Sequence, residues 1–257
     1  MELNDILYTH FQETAAAATV ETISIGLGYT AVATTDGGIG VAYTYFDSKQ
    51  SCHFVPDFRS CEGQSGLALL KNICSDKPLH RSVALAAINA FNQPAAIQLP
   101  EDTKNLALFD RLGIGPGKRI AMVGYFGPLI KKIEARGGVL EILDASRSLG
   151  TKKEFYSRLS DWADILFLTS TSILNDTCED ILARAGKQLK TVMLGPSTPM
   201  AAPVFEHLPV HLLAGTVPLD KDQVLKAVRH GQGTPVIQRF SRKVCLEIPR
   251  RVSAKKL

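Results

Sequence analysis

Three short segments place side chains and free backbone where a small ligand could be held. In Gly124-Tyr125-Phe126-Gly127-Pro128, an apolar run passes into a helix. Gly127 can cap that helix, and Pro128 suits its first turn, where an N–H would go unpaired in any case. The remaining amides at such a terminus can hold an anion or the polar edge of a ligand. Asp144 stands twenty residues after Gly124, a spacing that suits a carboxylate accepting ribose hydroxyls. The glycines follow Gly-x-x-Gly-Pro rather than Gly-x-Gly-x-x-Gly, so a tight turn closing a core strand explains them equally well. Thr169-Ser170-Thr171-Ser172, followed by Asn175-Asp176-Thr177, sets short hydroxyl and amide side chains on a loop that enters a helix. Ordinary capping by Asn175 or Asp176 is the competing reading there. Gly195-Pro196-Ser197-Thr198-Pro199-Met200 is stiffened by two prolines that also remove two donors. Its ligand-facing groups are then expected to be the hydroxyls of Ser197 and Thr198.

Other chemistries find less support. Cys52, His53, Asp57 and Cys61 share one loop, and His207 and His211 flank the start of a strand. Neither set has zinc-finger spacing, and free thiols and surface histidines account for them better. The sequence holds no nucleophile elbow, no His-Glu-x-x-His and no phosphate-binding P-loop. No residue stands out as a general base.

The elements that would position these loops follow from periodicity. Residues 3–18 read as a helix with Leu3, Ile6, Leu7, His10 and Phe11 on one face. Strands are predicted over Glu21–Gly28, Tyr29–Thr35 and Ile39–Phe46, the last two joined by the hairpin turn Asp36-Gly37-Gly38. A polar loop opens at Asp47, helices follow near 65–74 and 79–91, and Gln93 to Asp102 reads as a linker. Beyond a helix near 103–112, five apolar strands near 118–124, 138–143, 164–169, 189–194 and 210–214 alternate with helical segments, and a last helix covers 220–230. That alternation implies a parallel sheet with right-handed crossovers. In such a sheet, ligands bind beyond the carboxyl ends of the strands, where all three loops fall.

The 257 residues suit two cores better than one, and 45% apolar with 21% charged residues is ordinary for a globular chain. No apolar run approaches the roughly 20 residues of a spanning helix, and the first residues carry acids where a secretory signal needs lysine or arginine. Five scattered cysteines imply no disulfide framework. A cytoplasmic location is the expectation. The net charge of +4 is unevenly spread: from Pro235 onward seven basic residues stand against one acid, leaving a net −2 before it. With Phe240 as its one aromatic, that tail offers little base stacking, which argues against a nucleic-acid partner. Val244 to Ile248 alternates in a way that would add an edge strand, stopped by Pro249.

Taken together, Gly26 to Val32, Ser82 to Ala90, Val123 to Pro128, Ala163-Asp164 with Thr169 to Thr177, and Gly195 to Met200 resemble the heavy-metal chelation family. The Gly-Pro-Ser-Thr-Pro-Met loop and the Asn-x-Thr of Asn175 to Thr177 are the most specific matches. The resemblance implies an α/β protein. A small α+β, enolase-N-terminal-like domain would occupy residues 1–100 and a Rossmann-like parallel-sheet domain residues 103–233, with 234–257 as a basic C-terminal extension. It also implies a ligand site in the cleft between the domains, built from Asn89, Gly124, Tyr125, Phe126, Asn175, Thr177, Gly195, Ser197 and Thr198, to which the reading of the strand-end loops adds Gly127, Asp144 and Thr171. Those segments show no cluster of cysteine or histidine ligands, so a small polar molecule or a metal chelate fits better than a bare ion. A divalent heavy metal would then be held through a small chelator. The alternative is a group-transfer enzyme binding S-adenosylmethionine or another nucleoside, with Asp144 on the ribose. A homo-oligomer is compatible with either.

Overall fold

Leu3, Leu7, Phe11 and Ala15 recur at helical spacing, and all are buried on one face of α1 (Leu3–Ala17). Glu2 and Asp5 close a reciprocal capping box at its start. The computed structural model describes residues 2–46 and 60–249, so Cys52, His53 and Asp57 of the loop cluster lie outside the described residues. After α1 come three antiparallel strands in sequence order, β1 (Val20–Ile25), β2 (Tyr29–Thr34) and β3 (Ile39–Tyr43). The hairpin falls at Asp36-Gly37-Gly38 as expected, with Ala33 opposite Ile39.

A short helix α2 (Leu67–Leu70) and a 3-10 turn over Lys71–Cys74 lead to α3 (Pro78–Ala96). This helix runs through Pro94, so the expected linker begins later than Gln93. The extra turn is held by buried Ala96 and by the Gln93 side chain, which donates to the Pro218 carbonyl at 3.3 Å. α3 lies directly on β3: a Cβ on Gly40 would stand 2.2 Å from the Ala90 amide nitrogen, so this crossing admits only glycine.

The second half alternates as the periodicity predicts. Its elements are α4 (Leu106–Leu112), β4 (Arg119–Val123), α5 (Gly127–Ala135), β5 (Val139–Leu143), α6 (Lys152–Asp161), β6 (Ile165–Thr169), α7 (Thr171–Leu174), α8 (Cys178–Ala183), β7 (Lys190–Leu194), α9 (Ala202–Phe205), β8 (Leu212–Pro218), α10 (Lys221–Arg229), α11 (Thr234–Ile237) and β9 (Ser241–Glu247). The strands form one six-stranded sheet ordered β5-β4-β6-β7-β8-β9. The first five are parallel, and β9 adds an antiparallel edge along seven residues of β8. Both faces are covered, as parallel sheets require. Ile120, Met122, Ile165, Phe167, Val192 and Leu194 pack under α4 and α5. The alternate residues Ala121, Leu166, Leu168 and Met193 face Phe155 and Leu159 of α6, Ile181 of α8 and Phe205 of α9. That second cluster continues without a break into α1, α2 and α3.

Two connections differ from the simplest reading of the sequence. α10 packs on the three-stranded sheet, where Val224, Leu225 and Val228 meet Tyr29, Ala31 and Val41. β2 is therefore buried along its whole length, between α3 and α10. The segment before α4 is pinned to β9, with the Asp102 amide donating to the Lys243 carbonyl at 2.9 Å and that of Cys245 to Pro100 at 3.3 Å. Among the described residues, no helix is long and apolar enough to cross a membrane.

Candidate functional site

From β4 the chain moves outward to β5, then returns past β4 to β6. The strand order therefore reverses between β4 and β6, and ligands in doubly wound sheets bind at the carboxyl ends beside that reversal. Gly124 follows β4 with φ +90°, and Gly195 follows β7 with φ +125°, backbone that glycine adopts without strain. A Cβ on Gly124 would stand 3.1 Å from Cβ of Thr169 and 3.5 Å from the Phe126 ring. One on Gly195 would stand 3.0 Å from the Ser170 hydroxyl and 4.0 Å from the same ring. The half-buried Phe126 ring thus lies between the two glycines, over the ends of the central strands. Gly127 opens α5, and both Leu129 and Ile130 donate their amides back to the Phe126 carbonyl.

The other predicted residues fall into three groups around this centre. Tyr125 is exposed, with the Arg147 guanidinium 4.4 Å over its ring. Asp144 caps the 3-10 turn over Ala145–Arg147: its Oδ1 accepts from Ser146 Oγ at 2.6 Å and from the Arg147 amide at 3.1 Å. Thr171 pairs with Thr169 at 2.9 Å, and Thr177 donates to Asn175 Oδ1 at 2.7 Å in the turn between α7 and α8. Asn89, Ser197 and Thr198 form the third group, and they bind the two sheets together. Ser197 Oγ accepts from the Tyr43 amide at 2.8 Å, and Asn89 Nδ2 donates to the carbonyls of Val41 at 2.9 Å and Ser197 at 3.3 Å.

Ser197 and Thr198 thus differ from the expectation of ligand-facing hydroxyls. They are only 1% and 2% exposed. The end of β3 lies against this loop, and its amide needs an acceptor there. Thr198 Oγ1 has no partner among the described residues and borders a cavity of about 10 Å³ beside Asn89, Asn92 and Thr216, about the room that one water centre needs.

Several residues here had no individual signal in the sequence. Arg81 of α3 is buried and donates to the carbonyls of Leu174 at 2.7 Å and Ser75 at 2.6 Å, another tie between the halves. Tyr43, Arg147 and Ser170 also border the site, each identified by a neighbour distant in sequence. Among the described residues, no three His, Cys, Asp or Glu side chains come together to hold a metal ion. Cys178, the first residue of α8, is buried, and desolvation pushes its thiol up to about 12.

Larger hollows lie elsewhere. One of about 320 Å³ sits at the opposite, amino end of β4, β6 and β7, between Lys118, Asp164, Lys187 and Lys190. Another of about 550 Å³ runs between the solvated sides of α6 and α8. Neither lies at the carboxyl ends of the strands beside the reversal of strand order, so size alone does not make either the better site.

A three-stranded antiparallel sheet joined to a six-stranded, mostly parallel one defines a mixed α/β class with known members. The chain belongs to the family described as "Putative heavy-metal chelation": a model of that description matches residues 107–247, and a second of the same description matches residues 8–92. An uncharacterized protein of Methanocaldococcus jannaschii is 25% identical over 177 residues, spanning 66% of this chain and 67% of that one. Two crystal structures of proteins of unknown function from the DUF364 family share the fold. The one from Pyrococcus horikoshii has a TM-score of 0.80 at 22% identity, covering 96% of this chain and all of its own. The one from Desulfitobacterium hafniense has a TM-score of 0.76 at 18% identity, covering 95% and 97%.

Proposed function

We propose that the protein binds a small polar molecule at the carboxyl edge of the six-stranded sheet, and that this molecule is a metal chelate or the chelator itself. The family description supports the link to metals. The donor set carries the rest. The described loops at this edge present hydroxyls and backbone amides rather than thiolates or imidazoles. Such groups fit the periphery of a ligand and do not fit a heavy-metal ion held directly. The ties from Ser197 to Tyr43 and from Asn89 to Ser197 support a preformed wall between the sheets. A nucleoside reading would rest on Asp144, whose Oδ1 is already engaged by two local donors.

The test is thermal unfolding of the full chain with zinc, copper, nickel and cobalt, each added alone and with citrate or histidine, alongside metal analysis and mass spectrometry of the purified protein. At a ligand concentration of about 100 times Kd, binding adds about 2.7 kcal/mol, and for a chain of this size that raises Tm by roughly 5–10 °C. A chelate that raises Tm where metal and chelator separately do not, or a copurified chelator, is the expected result. Saturable binding of a bare ion, or no shift with any combination, overturns the proposal.

A further inference from the structure

At the same edge several donors stay unspent, and they share one chemistry. Pro128 has no N–H, and the amides of Tyr125, Phe126 and Gly127 make no hydrogen bond to any described residue. α5 is nine residues long, enough to bring the positive end of its dipole to that point. A helix start alone is satisfied by water, and the independent observation is Ser170. In the run Thr169 to Ser172, Thr169 pairs with Thr171 and Ser172 donates to the Thr169 carbonyl. The Ser170 hydroxyl makes no hydrogen bond to any described residue, although the residue is only 1% exposed. That hydroxyl is not sealed off, so a group from outside can complete it. That hydroxyl and the Phe126 ring, at the first turn of α5, lie within 4.0 Å of the same point beside Gly195. Arg147, stacked on the exposed Tyr125 ring, adds a full positive charge to this edge of the sheet.

We infer that the amino end of α5, Ser170 Oγ and Arg147 form a subsite for an oxyanion, a carboxylate or phosphate group of the small molecule bound at this edge. The inference rests on the binding function proposed above and narrows its ligand to an anion. Amides and a guanidinium only donate, so a cation is refused here and an anionic acceptor is received. Without side chains at Gly124 and Gly195, the Phe126 ring can lie against both loops. Asp144, the acid nearest in sequence, turns Oδ1 onto Ser146 and the Arg147 amide.

The experiment is amide NMR of the ¹⁵N-labelled full chain titrated with citrate and, separately, inorganic phosphate, with sodium chloride matching ionic strength. Saturable shifts at Tyr125, Phe126, Gly127 and Ser170 are expected, and the tighter probe identifies carboxylate or phosphate as the source. S170A should weaken that binding by about tenfold and R147Q by a few-fold, while K187E at the far end of the sheet leaves it unchanged. R147Q alters an exposed side chain and decides the matter if S170A does not fold. Immobile amides with both probes, or unchanged affinity in S170A and R147Q, overturn the inference. If chelates still raise Tm while these amides stay fixed, only the anion subsite fails; if neither responds, the binding function fails with it.

Discussion

Asp164 gathers three donors. Its Oδ2 accepts from the backbone amide and Nε of Arg119 at 3.0 and 3.3 Å, and its Oδ1 accepts from the terminal guanidinium nitrogen at 2.7 Å. The pair ties the amino ends of β4 and β6. Hydrogen bonds from the Arg119 side chain, more than burial opposes them, hold the Asp164 carboxyl below its ordinary value of 3.8. A carboxylate with a depressed folded-state value stabilises the fold above the ordinary value and loses that contribution as pH falls through the lower one. The side chains are 43% and 28% exposed, so solvent screening keeps the pair's contribution small. D164N should therefore lower Tm slightly at pH 7. Melting curves between pH 7 and pH 2.5 should show that gap closing in the acid range, whereas a gap constant with pH would assign the loss to packing. Residue type and residue direction differ in how far the sequence discloses them. Ser197 was a clear candidate as a short hydroxyl between prolines, but the partner it serves, the Tyr43 amide, is set by how the two sheets meet. Ser170 sat inside a recognised polar run, and only packing separates it from its paired neighbours.

Elements were more legible than contacts, and β9 shows both sides. The alternation of Val244 to Ile248 marked an edge strand before Pro249, and the strand does pair antiparallel with β8. It begins earlier, at Ser241, because an edge strand can carry Arg242 and Lys243 at partly exposed positions. Arg242 uses that freedom to donate to the carbonyls of Ile97 and Leu99 at 2.9 and 3.3 Å. Periodicity cannot register a strand whose outer positions are charged and whose Arg242 side chain reaches the segment that follows α3. Deleting residues 250–257 removes nothing from β9 and should leave Tm within about 1 °C. Deleting from Pro235 removes β9 together with buried Ile237, Val244, Cys245 and Ile248. At about 1.5–3 kcal/mol for each large apolar side chain, that loss approaches the whole 5–15 kcal/mol of a typical domain. Circular dichroism should then show no cooperative melt. A normal melt for the longer deletion would mean that β9 decorates the sheet without holding it.

At the scale of the molecule, the first sheet depends on both ends of the chain. One face of β2 lies on α3, and the other takes Val224, Leu225 and Val228 of α10. The contact is close enough that a Cβ on Gly26 would stand 2.2 Å from the Val228 carbonyl oxygen. The sequence offered Gly26 as part of a motif and the 220–230 segment as an amphipathic helix, but nothing local paired them. An apolar helix stripe specifies that it will be covered, not what covers it. The strand run was informative in hindsight: Tyr29 to Thr34 is buried at every position, the signature of a strand covered on both faces, which a three-stranded meander cannot provide from one helix. The consequence concerns independent folding. A fragment of residues 1–100 keeps α1 to α3 and the sheet, yet exposes Tyr29, Ala31, Ile39 and Val41 where α10 belongs. With about 1.5–3 kcal/mol at stake for each large side chain uncovered, that fragment should give a collapsed amide spectrum and no cooperative melt, while the full chain unfolds in a single transition. In the full chain V228D, which buries an unpaired carboxylate at the same contact, should broaden or lose the signals of β1 and β2 before those of β4 to β7. A dispersed spectrum and a sharp melt for the 1–100 fragment would show that α3 alone suffices and that α10 only docks on a finished sheet.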